Sequence, residues 1–456
     1  MIFRQFLRQS MVALTGLLVS VGSTTAQDRQ HQQPAQPAGQ TLTLDQCLQI
    51  ALERNPQILI AESQVEVAQA QTYGSYTGIL PTINASVINA NRTTSGDRDQ
   101  ILEGIVIGQV PGGTRTNYSN NIALNYTLYN GGQNWNSIRR NKQLEVNSKH
   151  NVSNAENQIA SNVKTQYYNL LRAIRLKEVT DEQVKLSEEQ LRRSQSMYEI
   201  GSVAKIDVLQ ARAQLGQVRI TLLNQQKAVT QTKANLNNVM GVDVHTPINP
   251  VDPIAGNTLA MMSPMSLQEA ASLAFQQNPS IQRDAGGIQA ANLQSKQARG
   301  ALWPTVSAGV TYSRNGVYLR DVYGNYGNNW NLGFSINVRL PILNGTQTYA
   351  NIQSSHAQRM IAEETLNQTK RTTLLSIRQS LLDLETSILV TELSNENIVA
   401  SEEGLRLAEE RYRVGSGTLL DVFNAQVTLT GAKSNLVIAQ YDYLIAQATL
   451  DQALGR

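Results

Sequence analysis

The stretch that decides the fold occurs twice: LDQCLQIALERNP at Leu44–Pro56 and LQEAASLAFQQNP at Leu267–Pro279. The Asn-Pro pairs that end these stretches lie 223 residues apart, and another proline follows each pair 25 residues later, at Pro81 and Pro304. Similarity at a fixed spacing is the signature of a repeated structural unit. Because proline fits the first turn of a helix, each Asn-Pro pair is predicted to end one short helix and to start the next.

Further along both copies, the matching segments are 214 residues apart. The matches are YNGGQNWNSI (129–138) with LNGTQTYANI (343–352), and YEIGSVAKIDV (198–208) with YRVGSGTLLDV (412–422). The second copy is therefore shorter by nine residues, all of them between its second proline and its Asn-Gly. A length change confined to one segment indicates that this segment contains a surface loop.

The duplication predicts two structural repeats, 42–241 and 266–455, joined by a proline-rich linker at 242–265. Each repeat ends at a glycine, Gly241 or Gly455. The fold class expected from this pattern is α+β, with a helix-strand-strand-helix unit present in two copies.

Within each repeat, two segments alternate between apolar and polar residues. In Trp330–Leu340 every even position is apolar and every odd position is polar or small, and Tyr118–Leu128 alternates similarly. Strands of about ten residues with one apolar face are typical of the wall of a transmembrane β-barrel, although a soluble β-sandwich has the same pattern. The predicted strands are about 82–92, 117–130, 304–314 and 329–343, and the Gly- and Asn-rich segments 93–116 and 315–329 are predicted to be hairpin loops.

A long helix follows the strands in each repeat, at about 133–198 and 346–412. The first span has no proline or glycine, and the second is interrupted only by Gly404. At 1.5 Å per residue, such a helix would be about 100 Å long, which favours coiled-coil packing. Each is predicted to turn at a glycine into a shorter return helix. Residues interpreted as structural, because a turn or a change of period requires glycine or proline, are Gly201, Gly415, Pro81, Pro304, Gly131 and Gly345.

Composition excludes several classes of protein. The 456 residues have 41% hydrophobic and 16% charged side chains, and a mean hydropathy of -0.29, too low for a polytopic helical membrane protein. A net charge of +3 gives no reason to expect a nucleic-acid partner, and one cysteine excludes an intrachain disulfide framework. If the protein enters a membrane, we expect β-structure to do so.

No pattern of catalytic or metal-binding residues is present in the sequence. The four histidines are scattered, without a His-Glu-x-x-His pair, and no phosphate-binding glycine loop or Gly-x-Ser-x-Gly motif occurs. We therefore expect no enzyme activity, no catalytic residues, no cofactor and no metal site.

The N-terminus has the features of a secretory signal. Arg4 and Arg8 precede an apolar segment, Met11–Val21, and small residues follow it. This segment is shorter than the roughly 20 residues that span a bilayer, so a signal peptide at 1–26 is predicted rather than a membrane anchor. The Gln- and Pro-rich segment 27–41 is predicted to be disordered.

Four strands cannot close a barrel in one chain. Exposed strand edges are not tolerated in hydrocarbon, and the smallest common transmembrane barrels have eight strands. Two copies would supply eight strands and three copies twelve, with more room for a lumen. The geometry requires an oligomer but leaves the number of chains open.

The chain resembles the TolC-type outer membrane efflux proteins. The resemblance rests on the duplicated unit, the L-x-x-x-x-x-x-A-[LF]-x-x-N-P openings and the Y-x-[IV]-G-S…D-V turns, and it covers 42–455. It implies a homotrimer in the outer membrane, with a 12-stranded β-barrel continued by a long α-helical barrel across the periplasm. The implied partners are a periplasmic adaptor protein and an inner-membrane transporter.

The resemblance implies a passive exit duct of a tripartite efflux pump or a type I secretion system. The alternative is a periplasm-spanning scaffold that is anchored by the barrel and transports nothing. Single-channel conductance would separate these two functions. The polar residues expected along the tunnel do not specify a substrate.

The turns between the long helices and the return helices are the candidate functional site, since the family places its periplasmic entrance there. In a trimer, Asp207 and Asp421 would bring six carboxylates near one axis, where they would favour cations. The alternative is that each aspartate only complements the dipole at the start of its helix. The predicted entrance residues are Asp421, Tyr412, Asn424, Asp207 and Tyr198.

The chain departs from the family pattern at two positions of this site. Some members have a basic residue in place of Gly417 and a second aspartate in place of Asn424. A gate that depends on those two charges is therefore not expected here, and a weaker cation site is predicted.

Overall fold

The computed structural model describes residues 41–96, 98–102, 105–110, 112–254, 265–324 and 327–456. The predicted signal peptide (1–26), all of the N-terminal segment 27–41 except Thr41, and residues 255–264 of the predicted linker lie outside the described residues.

The first repeat contains two short helices, a group of strands and two long helices. Its elements are β1 (Thr41–Leu42), α1 (Leu44–Arg54), α2 (Pro56–Ser75), a 3₁₀ turn (Tyr76–Ile79), β2 (Thr82–Thr94), β3 (Arg98–Leu102), β4 (Ile105–Val110), β5 (Gly113–Asn130), α3 (Gln133–Glu199) and α4 (Lys205–Met240).

The second repeat begins after a short strand in the linker and follows the same order, except that one short helix replaces the hairpin β3–β4. Its elements are β6 (Asn249–Pro250), α5 (Leu267–Gln277), α6 (Pro279–Gly300), β7 (Thr305–Gly316), α7 (Leu319–Tyr323), β8 (Trp330–Arg339), α8 (Gln347–Arg413) and α9 (Leu419–Leu454). The long helices α3 and α8 have 67 residues each, and the return helices α4 and α9 have 36 each.

The Asn-Pro pairs start α2 and α6, and they do so with the same hydrogen bonds. Asn55 caps α2 by accepting from the amide of Gln57, and its side chain donates to the carbonyl of Val239 at 2.7 Å. Asn278 caps α6 in the same way and donates to the carbonyl of Ala453 at 2.9 Å. Each asparagine therefore joins the start of a short helix to the end of the return helix of its own repeat.

The four longest strands form one antiparallel sheet in the order β2-β5-β7-β8. Thr82 is paired with Asn125 and Thr305 with Arg339, so the pairing within each repeat has the same register. The pairing of β5 with β7 joins the two repeats, and β2 and β8 form the edges of this sheet.

The segments predicted to be hairpin loops contain additional structure. In 93–116, strands β3 and β4 form a small antiparallel hairpin, and β5 begins earlier than predicted, at Gly113. The β-branched run Ile105-Val-Ile favours a strand, whereas the prediction gave more weight to the nearby Gly and Asp residues.

The second predicted loop, 315–329, also differs from a simple hairpin. Strand β7 continues to Gly316, and α7 forms because the carboxylate of Asp321 accepts from the amide of Tyr318 at 3.1 Å. Strand β8 ends at Arg339, before the predicted end at 343, and Pro341 has no amide hydrogen with which to continue the ladder.

The core lies along α3, where the return helix of the second repeat packs against it. Val163, Tyr167 and Leu170 on α3 are fully buried together with Tyr441 on α9. The Tyr167 hydroxyl donates to the carbonyls of Leu42 at 3.1 Å and Val251 at 2.6 Å, so it ties the short β1–β6 pair to the long helix. Within the described ranges, no helix has a stretch that is long and apolar enough to cross a membrane.

Candidate functional site

The two turns between the long helices and the return helices have the same backbone. Gly201 and Gly415 have φ values of +77° and +75°, a left-handed conformation that glycine adopts without steric cost. The following amides close the helix ends in the same way: Ser202 donates to the carbonyl of Met197 at 2.8 Å, and Ser416 donates to that of Arg411 at 2.9 Å. The duplicated glycines thus fix the same change of direction in both repeats.

The second turn has a complete capping box at the start of α9. The hydroxyl of Thr418 accepts from the amide of Asp421 at 3.2 Å, and the carboxylate of Asp421 accepts from the amide and the hydroxyl of Thr418 at 2.9 and 2.8 Å. The hydrogen bonds that the carboxylate accepts from Thr418 lower the pKa of Asp421, and the bond from the Thr418 amide contributes most. The positive charge of Arg411 lowers this pKa further. The carboxylate is exposed, is ionised at neutral pH and is held in one orientation by Thr418.

The first turn has no such cap. Ala204 occupies the N-cap position of α4 without a side-chain hydrogen bond, and Asp207 lies in the first turn of the helix, partly buried. The structure therefore places both aspartates at helix N-termini, where a negative charge is favourable. Only Asp421 is also held by a capping residue.

The structure brings the two turns together. A cavity of about 520 Å³ between them is lined by residues of both, including Val203, Asp207, Tyr412 and Leu419. Tyr412 is 9% exposed, and burial together with the charge of Asp207 raises its pKa. Two of the predicted entrance residues, Asp207 and Tyr412, therefore share one cavity.

The other predicted residues lie on the surface. Tyr198 and Asn424 are exposed, and neither lines this cavity. A side chain at Gly417 would have its Cβ 3.0 Å from the Cβ of Arg411, so a basic residue there would press against Arg411. A basic residue at position 417, which some family members have, would therefore crowd Arg411 in this structure.

A second cavity, of about 560 Å³, lies beside the first, between α3 and α8. Arg193 borders it, with its guanidinium 3.3 Å from Glu409 and 2.7 Å from Glu189. The neighbouring carboxylates raise the pKa of Arg193, and the hydrogen bond that Arg193 donates to Glu189 contributes most. The Arg193–Glu409 contact was not predicted, because it joins residues far apart in the sequence that do not occupy matching positions in the two repeats.

The profile of the outer membrane efflux protein family matches residues 47–242 and 270–456, one segment in each repeat. The chain belongs to the outer membrane efflux protein family. The resemblance inferred from the motifs is thereby confirmed, and so is localisation to the outer membrane.

Individual relatives in this family are distant in sequence. The outer membrane efflux protein BepC of Brucella suis is 25% identical over 75% of this chain and 73% of its own length. The probable efflux pump outer membrane protein TtgC of Pseudomonas putida is 22% identical over 90% of this chain and 82% of its own.

The fold of this family member is also that of a solved channel. The crystal structure of the Campylobacter jejuni CmeC outer membrane channel has a TM-score of 0.79 at 19% identity, covering 90% of this chain and 85% of that one. None of these three proteins is named as an enzyme. In the described parts of this chain, no three His, Cys, Asp or Glu side chains lie close enough to hold a metal ion.

Proposed function

We propose that three copies of this chain form a channel in the outer membrane that acts as a passive exit duct of a tripartite efflux pump or a type I secretion system. Each copy contributes four strands to a 12-stranded barrel, and the long helices form an α-helical tunnel through the periplasm. A periplasmic adaptor and an inner-membrane transporter are the proposed partners, and the transporter supplies the energy.

The observation that carries this proposal is the sheet β2-β5-β7-β8. One of its faces is apolar and exposed on the edge strand β8, where Leu332 is 60%, Phe334 70% and Ile336 60% exposed. Strand pairing continues this face through Tyr312, Val310 and Ala308 on β7 to Ile122, Leu124 and Tyr126 on β5. An exposed apolar face with a polar opposite face fits a wall between lipid and a water-filled lumen.

The edges of the sheet require the additional copies. Strands β2 and β8 each have a partner on one side within this sheet. Open edges are costly in hydrocarbon because unpaired backbone groups have no water to bind. Closure by β8 of one chain and β2 of the next satisfies these groups, and three chains give a barrel with a lumen.

We place the periplasmic entrance at the two turns. Asp421 carries the charge that would face the axis, Tyr412 and Asp207 line the cavity between the turns, and Tyr198 and Asn424 are exposed beside them. Since Asp421 is held by Thr418, its carboxylate would form an oriented ring in the trimer. We also propose the repeat boundaries 42–241 and 266–455 and removal of residues 1–26.

The mass of the detergent-solubilised complex tests the oligomer. After correction for bound detergent, we expect three chains per particle. A stable monomer would contradict the proposal, because four strands would remain unclosed, and the sheet would then be reassigned to a soluble fold.

Conductance in planar bilayers tests the duct. We expect discrete current steps with cation preference, and a loss of that preference in Asp421→Ala. The matched control is Asp45→Ala, which removes one exposed carboxylate on α1, away from both turns, and should leave the preference unchanged. A trimer that passes no ions would contradict the duct and favour the scaffold.

A further inference from the structure

The two repeats are covered unequally by the rest of the chain. Helix α3 of the first repeat packs against α2 and α4 of its own repeat and also against α6 and α9 of the second. Helix α8 of the second repeat packs against α6 and α9 of its own repeat. Within the described residues, α2 and α4 make no extended contact with α8, although their counterparts α6 and α9 contact a long helix of each repeat.

Exposure differs accordingly on the matching helices α2 and α6. Val67 on α2 is 56% exposed, whereas its counterpart Ala290 on α6 is 5% exposed. Leu59, Ile60 and Val67 line an open groove of about 420 Å³ on α2. These positions are therefore apolar and exposed on α2, whereas the matching positions on α6, Gln282, Arg283 and Ala290, are half-buried or buried.

The return helix α9 forms an ion pair across the junction between the repeats, and its counterpart α4 shows which partner is missing. Lys433 on α9 lies 3.2 Å from Glu182 on α3, across the junction between the repeats, and 3.9 Å from Glu402 within its own repeat. The residue that matches Lys433 in the first repeat, 214 positions earlier, is Arg219 on α4.

Arg219 already forms half of the same arrangement. Its guanidinium lies 2.7 Å from Glu188, the counterpart of Glu402. The other half requires the counterpart of Glu182, which is Glu396 on α8. Glu396 is exposed and has no ion pair within the described part of the chain.

The sheet has the same incomplete symmetry. At the internal junction, Ile122 of β5 is paired with Tyr312 of β7. The matching residues are Ile336 on β8 and Asn89 on β2, which lie on the two edge strands. Pairing of these edges between two chains would repeat the junction that the chain forms internally.

We propose that Arg219 of one chain forms an ion pair with Glu396 of a second copy, so that the interface between chains repeats the junction between the repeats. The register is set by the duplication: α4 and β2 of one copy lie on α8 and β8 of the next. The inference rests on the proposed oligomer and adds which residues meet in it.

Thiol cross-linking of the full-length chain tests this register. The variant Arg219→Cys/Glu396→Cys is treated with a short bismaleimide and run on a denaturing gel. We expect covalent dimers and trimers. The native Cys47 should not react, because it is 1% exposed and burial raises its thiol pKa to about 11.

Two control variants use the internal copy of the contact. Lys433→Cys/Glu182→Cys has the matching pair within one chain and should cross-link without forming dimers. Arg219→Cys/Glu182→Cys combines positions from different contacts and should form neither product. All four side chains are at the surface, and circular dichroism confirms folding of each variant before cross-linking.

The outcomes separate this inference from the proposed function. Covalent dimers from the first variant, and not from the controls, would support the register. A trimeric particle without dimers from the first variant, or with equal dimers from the mismatched control, would overturn the register and leave the channel intact. A monomeric particle would overturn both.

Discussion

The turn between α3 and α4 and the turn between α8 and α9 have the same backbone and different caps. Both have a left-handed glycine and the same amide-to-carbonyl closure. The second turn adds Thr418 and Arg411 around Asp421, whereas the first has Ala204 at the corresponding cap. The path of the chain is thus duplicated at both turns, and the charge near the proposed axis is fixed at only one.

The Asn-Pro junction of each repeat differs from the turns because its side-chain chemistry is also duplicated. Asn55 and Asn278 each cap a helix and bind the last turn of a return helix. These contacts are buried and internal to each repeat, so a substitution there leaves a buried polar group unpaired. The turns are exposed, and their caps are free to differ.

Among the substitutions that we consider, alanine at either of the two asparagines should lower the free energy of unfolding most. Asn55→Ala and Asn278→Ala each remove an N-cap and leave a buried carbonyl unpaired, which together cost about 2 kcal/mol of the free energy of unfolding. We expect the two losses to be nearly equal, because both asparagines make the same pair of hydrogen bonds. Thermal unfolding followed by circular dichroism measures them.

A clear inequality between the two asparagine variants would contradict the view that both repeats are held in the same way. Gln57→Ala is a suitable control, since its backbone amide, which the alanine retains, accounts for the bond to Asn55. It should leave the unfolding midpoint nearly unchanged.

The turn glycines should show the next largest effect, and again an equal one. Gly201→Ala and Gly415→Ala place a Cβ on a left-handed backbone, at a cost of about 1 to 2 kcal/mol. No heavy atom lies within 4 Å of either Cβ position, so only the backbone conformation contributes. The same thermal unfolding assay applies.

Gly404→Ala is the matched control for the turn glycines. Gly404 lies inside helix α8 with open space around its Cβ position, so alanine there should stabilise by about 0.5 to 1 kcal/mol. If all three alanine variants shifted the midpoint in the same direction, the role assigned to the left-handed glycines would be wrong.

The sequence predicted the parts of the fold that depend on local chemistry and repetition. The Asn-Pro pairs and the turn glycines marked helix ends because proline and glycine restrict or release the backbone. The family resemblance pointed to the turns as the site. The Thr418–Asp421 cap was not predicted, although it is local and Thr-x-x-Asp has the spacing of a capping box.

The contacts that could not be predicted join residues far apart in the sequence. The Arg193–Glu409 ion pair connects α3 to α8 at positions that do not match between repeats. The formation of α7 depends on Asp321 capping, while the buried Arg314 side chain donates to the carbonyl of Asp321 at 3.1 Å and to that of Asn328 at 3.2 Å. Such contacts follow from tertiary packing, which periodicity and turn residues do not specify.

Exchanging the N-cap residues of α4 and α9 should reverse the difference in stability between the first turns of these helices. Thr418→Ala removes the hydroxyl that accepts from the amide of Asp421, and it should weaken the start of α9 by about 1 kcal/mol. Ala204→Thr should strengthen the start of α4 by up to about 1 kcal/mol. Hydrogen exchange of the amides in the first turn of each helix measures these local changes.

If Thr418→Ala left the hydrogen exchange of amides at the start of α9 unchanged, the capping box would not explain the difference between the turns. Thr428→Ala is the control within the same helix, because its hydroxyl donates only to the carbonyl of Asn424, one turn earlier. It should not alter exchange in the first turn.

The smallest predicted effect is the pH dependence that Asp421 contributes. Because the folded pKa of Asp421 is lowered, its contribution to stability is complete above the unfolded value of about 3.8 and is lost as the pH falls through the folded value. The difference in unfolding midpoint between the wild type and Asp421→Asn should therefore be constant from pH 7 to about pH 5 and should shrink below pH 4. In the Thr418→Ala background the same comparison should give a smaller difference, since the hydroxyl bond to the carboxylate is absent and the pKa of Asp421 lies closer to its usual value. A difference that grew as the pH fell would mean that the folded protein favours the neutral acid, and the oriented carboxylate assigned to the second turn would then be wrong.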